Sequence, residues 1–355
     1  MARKLSLILP VCVLAASGAC GLDYFGQLLW GGLNSISRTV PVAEALNDSR
    51  LSEEERAKLA LTQVIRQFAI DRIGLTPGDA YTVFEFNGTD PAVYVLSASD
   101  KDSLTPFLWL YPFVGTVATR GYFDQAYGQR EADDMAARGY DIFFGQAAGF
   151  STLKILADPV RQSNLRMIEP ELAEFLFHEM THSTIFKVSD ANFNESLATF
   201  VGRAAARTFF EETYGVDSPQ AVDARELFAD KLIIDEYVNL LYSRMNSYYS
   251  AAAARGESSE MIVAGREAEF AALHEQYLTV FEPRLIYPDR WAFNRTLVIN
   301  NAIILAAITY QGSLSDYQAV FDKVGGSFSD ALYVFNQAAS QADSRGFLRQ
   351  FAAGP

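Results

Sequence analysis

The sequence contains one group of residues whose types and spacing suit metal-assisted hydrolysis. His178, Glu179 and His182 form the pattern H-E-x-x-H, and they include two of the three histidines of the chain. On a helix, residues four apart lie on one face, so both imidazoles can bind the same zinc ion. Glu179 is rotated by about 100° around such a helix, where it can act on a water molecule without binding the metal. The pattern therefore predicts a metal site with Glu179 as general base.

A catalytic zinc usually takes three protein ligands, so the third must come from another element. Glu195 follows His182 by 13 residues and is predicted to lie in the first turn of the next helix. A short loop between the two helices would bring Glu195 back to the histidines. Asp190, within that loop, is the alternative ligand, whereas His274 is predicted to be an ordinary, partly exposed helix residue. Asn194 is predicted to cap the second helix or to hold a substrate group.

The same pattern could arise by chance, with histidines that only form hydrogen bonds. Two observations make a metal site the better interpretation. The chain is poor in histidine, and the segment around the motif, ELAEFLFHEMTHSTIF, is apolar. Burying imidazoles and a carboxylate in such a segment costs free energy unless a metal or other partners compensate.

Composition restricts the possible partners and ligands. The chain has 355 residues and a formal net charge of −14, so its surface would repel phosphates, and nucleic acid is not an expected partner. Its two cysteines, Cys12 and Cys20, lie in the N-terminal segment, so the rest of the chain cannot build a disulfide framework or a thiolate site. A transition metal would have to be held by histidine and carboxylate.

The N-terminal segment, MARKLSLILPVCVLAASGAC, has the features of an export signal. A basic start precedes a short apolar run and small residues. We predict a signal peptide over residues 1–19 and export to the periplasmic side of a bacterial envelope. Because small residues directly precede Cys20, we predict that Cys20 is lipidated and anchors the protein to a membrane, with the outer membrane as one destination. Ordinary cleavage that leaves Cys20 as a free thiol is the alternative.

The patterns along the chain predict an α+β fold: a mostly helical, metallopeptidase-like domain with a small N-terminal β-sheet and a C-terminal helical region. Residues 20–355 are predicted to form this single domain, with a first helix between Ser52 and Gly74. In the sheet-rich part, 76–160, β-branched and aromatic runs predict about four strands and one helix. The helical active-site part, 165–355, begins with the helix that carries the H-E-x-x-H motif.

The motif and its surroundings resemble a bacterial family of zinc aminopeptidases that are usually described as lipoproteins. The likeness rests on FLFHEMTH followed by FNESLATFVG, on RGYFD and GFSTL, and on the stretch NNA…TY that ends at Tyr310. The resemblance implies a peptide substrate, one zinc ion per chain, and a third ligand, Glu195, from an Asn-Glu pair. The gap of 13 residues before Glu195 is shorter than in the well-known peptidases that bind zinc with two histidines and a glutamate.

Two further residues become candidates through this resemblance. Tyr310 is a candidate to stabilise the oxyanion of the tetrahedral intermediate, and Arg120 is a candidate to bind a substrate carboxylate. Each has a structural alternative, since Tyr310 could pack in the core and Arg120 could form an ion pair. The predicted function is a zinc-dependent aminopeptidase. The alternatives are a metallo-endopeptidase of the cell envelope and a non-catalytic lipoprotein that binds zinc.

Overall fold

The computed structural model describes Tyr24, Gly31, Ser35 and residues 37–354, apart from 89–90, 92, 112–114, 148–157 and 312–313. In these residues helices dominate, and the strands lie in the first half of the chain. The α+β class predicted from the sequence is therefore confirmed. The predicted signal peptide, Cys20 and the GFSTL stretch lie outside the described residues, so export and lipidation stay predictions.

The strands of the described residues form three small sheets. Their bounds are β1 (Thr39–Pro41), β2 (Val83–Glu85), β3 (Val93–Ser99), β4 (Trp109–Tyr111), β5 (Gly115–Val117), β6 (Thr119–Tyr122), β7 (Asp141–Ala147) and β8 (Val160–Arg161). The first sheet has the order β1-β2-β8, with β1 antiparallel and β8 parallel to β2. The second has the order β6-β3-β7 and is antiparallel throughout, and the third is the hairpin of β4 and β5.

The prediction of about four strands in one sheet was wrong. The apolar run WLYPFVGTVAT forms two short antiparallel strands, β4 and β5, rather than one. The strands β1 and β8 contain only three and two residues, which is too short to show an alternating pattern. Two other predicted strands are present as β3 and β7, which are the longest strands of the described residues and pair with each other.

The helices carry most of the chain. Their bounds are α1 (Val42–Ala45), α2 (Glu53–Phe68), α3 (Gln125–Ala137), α4 (Glu169–Thr184), α5 (Ala191–Tyr214), α6 (Pro219–Ala254), α7 (Ser259–Gln276), α8 (Asn301–Gln311), α9 (Leu314–Lys323), α10 (Phe328–Ala339) and α11 (Ser344–Ala353). The predicted first helix is α2. It begins at a capping box, in which Ser52 and Glu55 each accept a hydrogen bond from the other's main-chain N–H. It continues as a π-helical segment, Ala69–Ile73, which ends at Gly74.

Three groups of buried apolar side chains hold these elements together. The largest lies between α2, α4, α5 and the C-terminal helices α9 to α11. The second joins α6, α7 and α8, and the third lies between the sheet β6-β3-β7 and α3. The two helices with the predicted metal ligands thus belong to the largest core, where close packing fixes their positions. Within the described residues, no helix is both long enough and apolar enough to cross a bilayer.

Candidate metal centre and active site

The helix α4 presents both motif histidines on one face. Pro170 and Glu171 lie in its first turn, where proline leaves no N–H unpaired and an acid suits the helix dipole. His178 and His182 follow one turn apart near its C-terminal end. The opposite side of the helix is buried in the largest core through Leu172, Ala173, Leu176, Phe177 and Met180.

The helix α5 begins directly after a short loop and carries Glu195 in its second turn. Asp190 is its N-cap and accepts a hydrogen bond from the N–H of Phe193 at 3.1 Å. Asn194 fixes the loop, because its side chain accepts from the N–H of Lys187 at 2.8 Å and donates to the carbonyl of Lys187 at 2.7 Å. The structure therefore gives Asn194 a positioning role, and a contact between Asn194 and substrate stays a prediction.

His178, His182 and Glu195 bring three possible ligand atoms together. The Nε2 atoms of the histidines are 3.1 Å apart, and Oε2 of Glu195 lies 3.2 Å from Nε2 of His178 and 3.5 Å from Nε2 of His182. A tetrahedral zinc with bonds of about 2.0–2.1 Å would separate its ligand atoms by about 3.3 Å. The three observed separations fit such an ion, which His178, His182 and Glu195 would hold.

Charge compensation within this triangle is strong. Burial opposes a charge on Glu195, but hydrogen bonds from His178 and His182 hold the pKa of Glu195 well below its ordinary value. Burial likewise opposes a charge on His182, but the hydrogen bond with Glu195 raises the pKa of His182. The site therefore holds a carboxylate that requires positive charge beside it, which a divalent cation can also supply.

Glu179 lies beside the triangle and is only 9% exposed. Burial raises the pKa of its carboxyl above the ordinary value; the two motif histidines oppose this rise, whereas Glu195 and Asp158 add to it. Among the described residues, neither Oε2 of Glu179 nor Nδ1 of His182 has a hydrogen-bond partner. A buried carboxylate oxygen without a protein partner is available to accept a hydrogen bond or a proton from a water molecule or substrate.

Tyr310, at the end of α8, stands next to His178. The centroids of the two rings are 6.2 Å apart, and the ring planes are inclined by 31°. Desolvation of the hydroxyl, together with the charges of Glu195 and Glu179, raises the pKa of Tyr310, so its hydroxyl remains a donor at neutral pH. The residue still has 48% of its surface exposed, which leaves it accessible to a ligand.

Comparison with known families matches nearly the whole chain. The family model described as "Putative aminopeptidase" matches residues 23–345, a span that includes all five residues of the site just described. The chain belongs to this aminopeptidase family. The resemblance inferred from the motif and its surroundings is therefore confirmed, and membership supports a peptidase function. Searches of the curated proteins and of the solved structures found no match.

Tyr81 lies near Glu179, and no pattern in the sequence predicted this proximity. It is 3% exposed and has a left-handed backbone with φ of 63°, which is unfavourable for a bulky residue unless the surroundings impose it. Its ring packs edge-on against Phe175, with centroids 6.4 Å apart. Burial, then the charges of Glu179 and Asp158, raise the pKa of Tyr81, so its hydroxyl stays protonated near the predicted base.

The asparagine pair at the start of α8 holds the helix that carries Tyr310 in its last turn. Asn301 donates to main-chain carbonyls of the loop 100–103 and accepts from the hydroxyl of Tyr249 at 2.8 Å. Asn300 donates to a main-chain carbonyl of β7 at 3.0 Å. Only the family resemblance points to the NNA stretch, and the structure gives its asparagines an anchoring role between the sheet and α8.

Arg120 and His274 have their described contacts outside the predicted metal site. Arg120 donates to Oε1 of Glu131 at 2.6 Å, and its guanidinium lies 3.6 Å from the centre of the Tyr24 ring. Neither partner belongs to the predicted metal site, so the structure shows the ion pair that was the alternative for Arg120, and its substrate-binding role stays a prediction. His274 contacts the main-chain carbonyl of Arg295 at 3.1 Å.

A buried ion network joins α4, α5 and α6 one helical turn before His178. Glu174 accepts from Nε of Arg203 at 3.1 Å and from Lys231, and Arg203 also pairs with Asp235. All four side chains are largely buried, and the network has no net charge. The sequence shows these charged residues within otherwise apolar helix segments, which indicates that they are paired. Which residues pair with each other can be predicted only from the fold.

We expect Glu174→Ala to lower the free energy of unfolding by about 3–5 kcal/mol. The substitution removes the carboxylate that Arg203 and Lys231 share and leaves their positive charges buried without it. Denaturation of the metal-free protein by urea measures this loss. Glu212→Ala is the matched control, since Glu212 pairs with Arg72 at 2.8 Å in an exposed ion pair. That control should cost about 0–1 kcal/mol, and equal losses in both variants would contradict the interpretation.

Proposed function

We propose that the protein is a zinc-dependent aminopeptidase that removes the N-terminal residue of peptides. The observation that carries the proposal is the triangle of His178, His182 and Glu195, whose ligand atoms all lie within 4.8 Å of one another. Membership in the aminopeptidase family supports the peptide substrate. Since this triangle is the one such group in the described residues, we propose one zinc ion per chain.

Zinc suits the donor set of this site. Two imidazoles and one carboxylate are a ligand set of catalytic zinc sites, whereas structural zinc sites are closed by four protein ligands, often cysteines. Both cysteines of the chain, Cys12 and Cys20, lie in the N-terminal segment, far along the sequence from this site. When bound, zinc would polarise the scissile carbonyl and lower the pKa of a water molecule toward about 7.

Glu179 is proposed to move the proton in the reaction. Its Oε2 atom, buried and without a partner among the described residues, can accept a proton from the attacking water and deliver it to the leaving amine. Burial raises the pKa of this carboxyl, which brings it closer to the pH at which both transfers must occur. The protonated hydroxyl of Tyr81 lies near this carboxyl.

Tyr310 is proposed to donate a hydrogen bond to the oxyanion that develops on the substrate. Its position beside His178 supports this role, and its hydroxyl keeps its proton at neutral pH. A donor that meets the oxyanion acts mainly in the transition state.

We expect Tyr310→Phe to lower kcat by about 10²–10³, with KM and zinc content close to those of the wild type. Steady-state kinetics on a peptide with a free N-terminus measure this effect. Tyr333→Phe is the control, because Tyr333 is a 67% exposed tyrosine on α10. A rise in KM at constant kcat would instead make Tyr310 a substrate-binding residue.

Zinc analysis combined with a peptide digest tests the proposed function. We expect about one zinc ion per purified chain, and release of N-terminal residues from free peptides but not from N-terminally blocked ones. Equal cleavage of blocked and free peptides would identify a metallo-endopeptidase. Zinc binding without cleavage of any member of a peptide library would identify a non-catalytic zinc protein.

A further inference from the structure

The main chains of α4 and α5 approach each other closely at Gly202. A Cβ atom at this position would lie 2.9 Å from the carbonyl oxygen of Glu174 and 3.3 Å from both the main-chain N and the Cβ of His178. The nearest of these atoms belongs to a helix backbone, so rotating a side chain cannot relieve the contact. Only glycine allows this approach without a shift of one helix against the other.

Gly202 and Glu195 lie on the same face of α5. They are seven residues apart, which corresponds to about two helical turns and about 10 Å of rise. Glu195 contacts His178 and His182, whereas Gly202 contacts His178 and Glu174, so α5 runs antiparallel to α4. The close contact therefore lies immediately beside the metal ligands.

The connection between the two helices gives Glu195 little freedom to compensate for a shift. Only residues 185–190 separate α4 from α5, and Asn194 and the cap at Asp190 fix the start of α5. The distance between packed helices depends on the size of the side chains at their contact, and small residues permit the closest approach. The place of the Glu195 carboxylate is thus set by how closely α5 lies on α4.

We propose that Gly202 is a positioning residue for the third metal ligand. By allowing close contact between α4 and α5, it places Oε2 of Glu195 within 3.5 Å of both imidazole nitrogens despite the short gap in the sequence. The inference rests on the proposed metal site, and it adds a residue that neither binds the metal nor touches the substrate.

The test is Gly202→Ala, with zinc affinity and folding measured separately. We expect the variant to fold and to bind zinc at least about tenfold more weakly in a chelator competition, as for residues that orient metal ligands. With Co²⁺ in place of zinc, its visible spectrum should shift toward that of Glu195→Ala. Combining the two substitutions should weaken zinc binding no further than Glu195→Ala alone, because Gly202 acts through Glu195.

Two control variants separate positioning from general destabilisation. Gly121→Ala should leave zinc affinity unchanged, because a Cβ at Gly121 meets no atom within 4 Å. Ala331→Val overfills the same core from α10, so it should lower the thermal midpoint without a tenfold loss of zinc affinity.

Four results would overturn the proposal. The first is a folded Gly202→Ala variant whose zinc affinity is within twofold of the wild type. The second is an equal loss of zinc affinity in Ala331→Val, and the third is full additivity of Gly202→Ala with Glu195→Ala. The fourth is failure of Gly202→Ala to fold even with excess zinc, which would make Gly202 a folding residue. None of these readouts needs peptidase activity, so a wild type that binds zinc but cleaves nothing would reject the proposed function and leave this inference standing.

Discussion

Glu179→Gln is expected to keep its zinc and to lose most of its peptide hydrolysis, with kcat reduced by about 10²–10⁴. Glutamine has nearly the same size as glutamate and can fill the same buried space, but its amide cannot accept a proton from water at neutral pH. Because Glu179 is not one of the three residues whose ligand atoms cluster, its replacement should leave metal binding intact. Zinc content and single-substrate kinetics on a free peptide measure the two properties in one preparation.

The matched control for this variant is Glu171→Gln, in the first turn of the same helix. It removes the same charge from α4 at a distance of two helical turns from the motif and should leave kcat unchanged. If Glu179→Gln cleaves peptides within a factor of ten of the wild type, another group must be the base. If it loses its zinc as well, Glu179 must contribute to metal binding.

Glu195→Ala is expected to weaken zinc binding by an order of magnitude or more. The substitution removes the carboxylate that contacts both histidines, at 3.2 and 3.5 Å, and leaves two neutral ligands for a divalent ion. Dialysis against a graded series of chelators measures the retention. Hydrolysis should fall with metal content and recover in part when excess zinc is supplied.

Asp190→Ala decides between the two ligands that the sequence left open. Asp190 caps α5 and pairs with Lys187 at 3.4 Å, so its loss should cost about 1 kcal/mol of stability. Zinc retention should stay close to that of the wild type. The reverse pattern, with zinc lost in Asp190→Ala and kept in Glu195→Ala, would move the third ligand into the loop.

Much of the candidate site was predictable because it depends on helical periodicity. The spacing of His178 and His182 puts both on one face of a helix, and a short loop returns Glu195 to them. These are local consequences of geometry that need only the positions of two neighbouring helices. Tyr310 came from the family resemblance alone, since no pattern in the sequence relates α8 to α4.

The parts that were not predicted depend on contacts between distant segments. Tyr81 precedes the motif by about a hundred residues, and its left-handed backbone follows from its surroundings rather than from its own preference. Gly202 looks like an ordinary small residue in an apolar helix until the approach of α4 is known. The strand count failed for a related reason, since strands of two or three residues are defined by their partners.

The anchoring of α8 has a consequence for how such a site can change during evolution. Asn300 and Asn301 fasten one end of this helix to the sheet, while its other end delivers a phenol to the imidazole of His178. The phenol-bearing helix α8 also packs against α5, which carries Glu195, so the two parts of the candidate site are joined. Substitutions that tilt or shorten α8 are therefore expected to move the phenol and the proposed metal ligand Glu195 together.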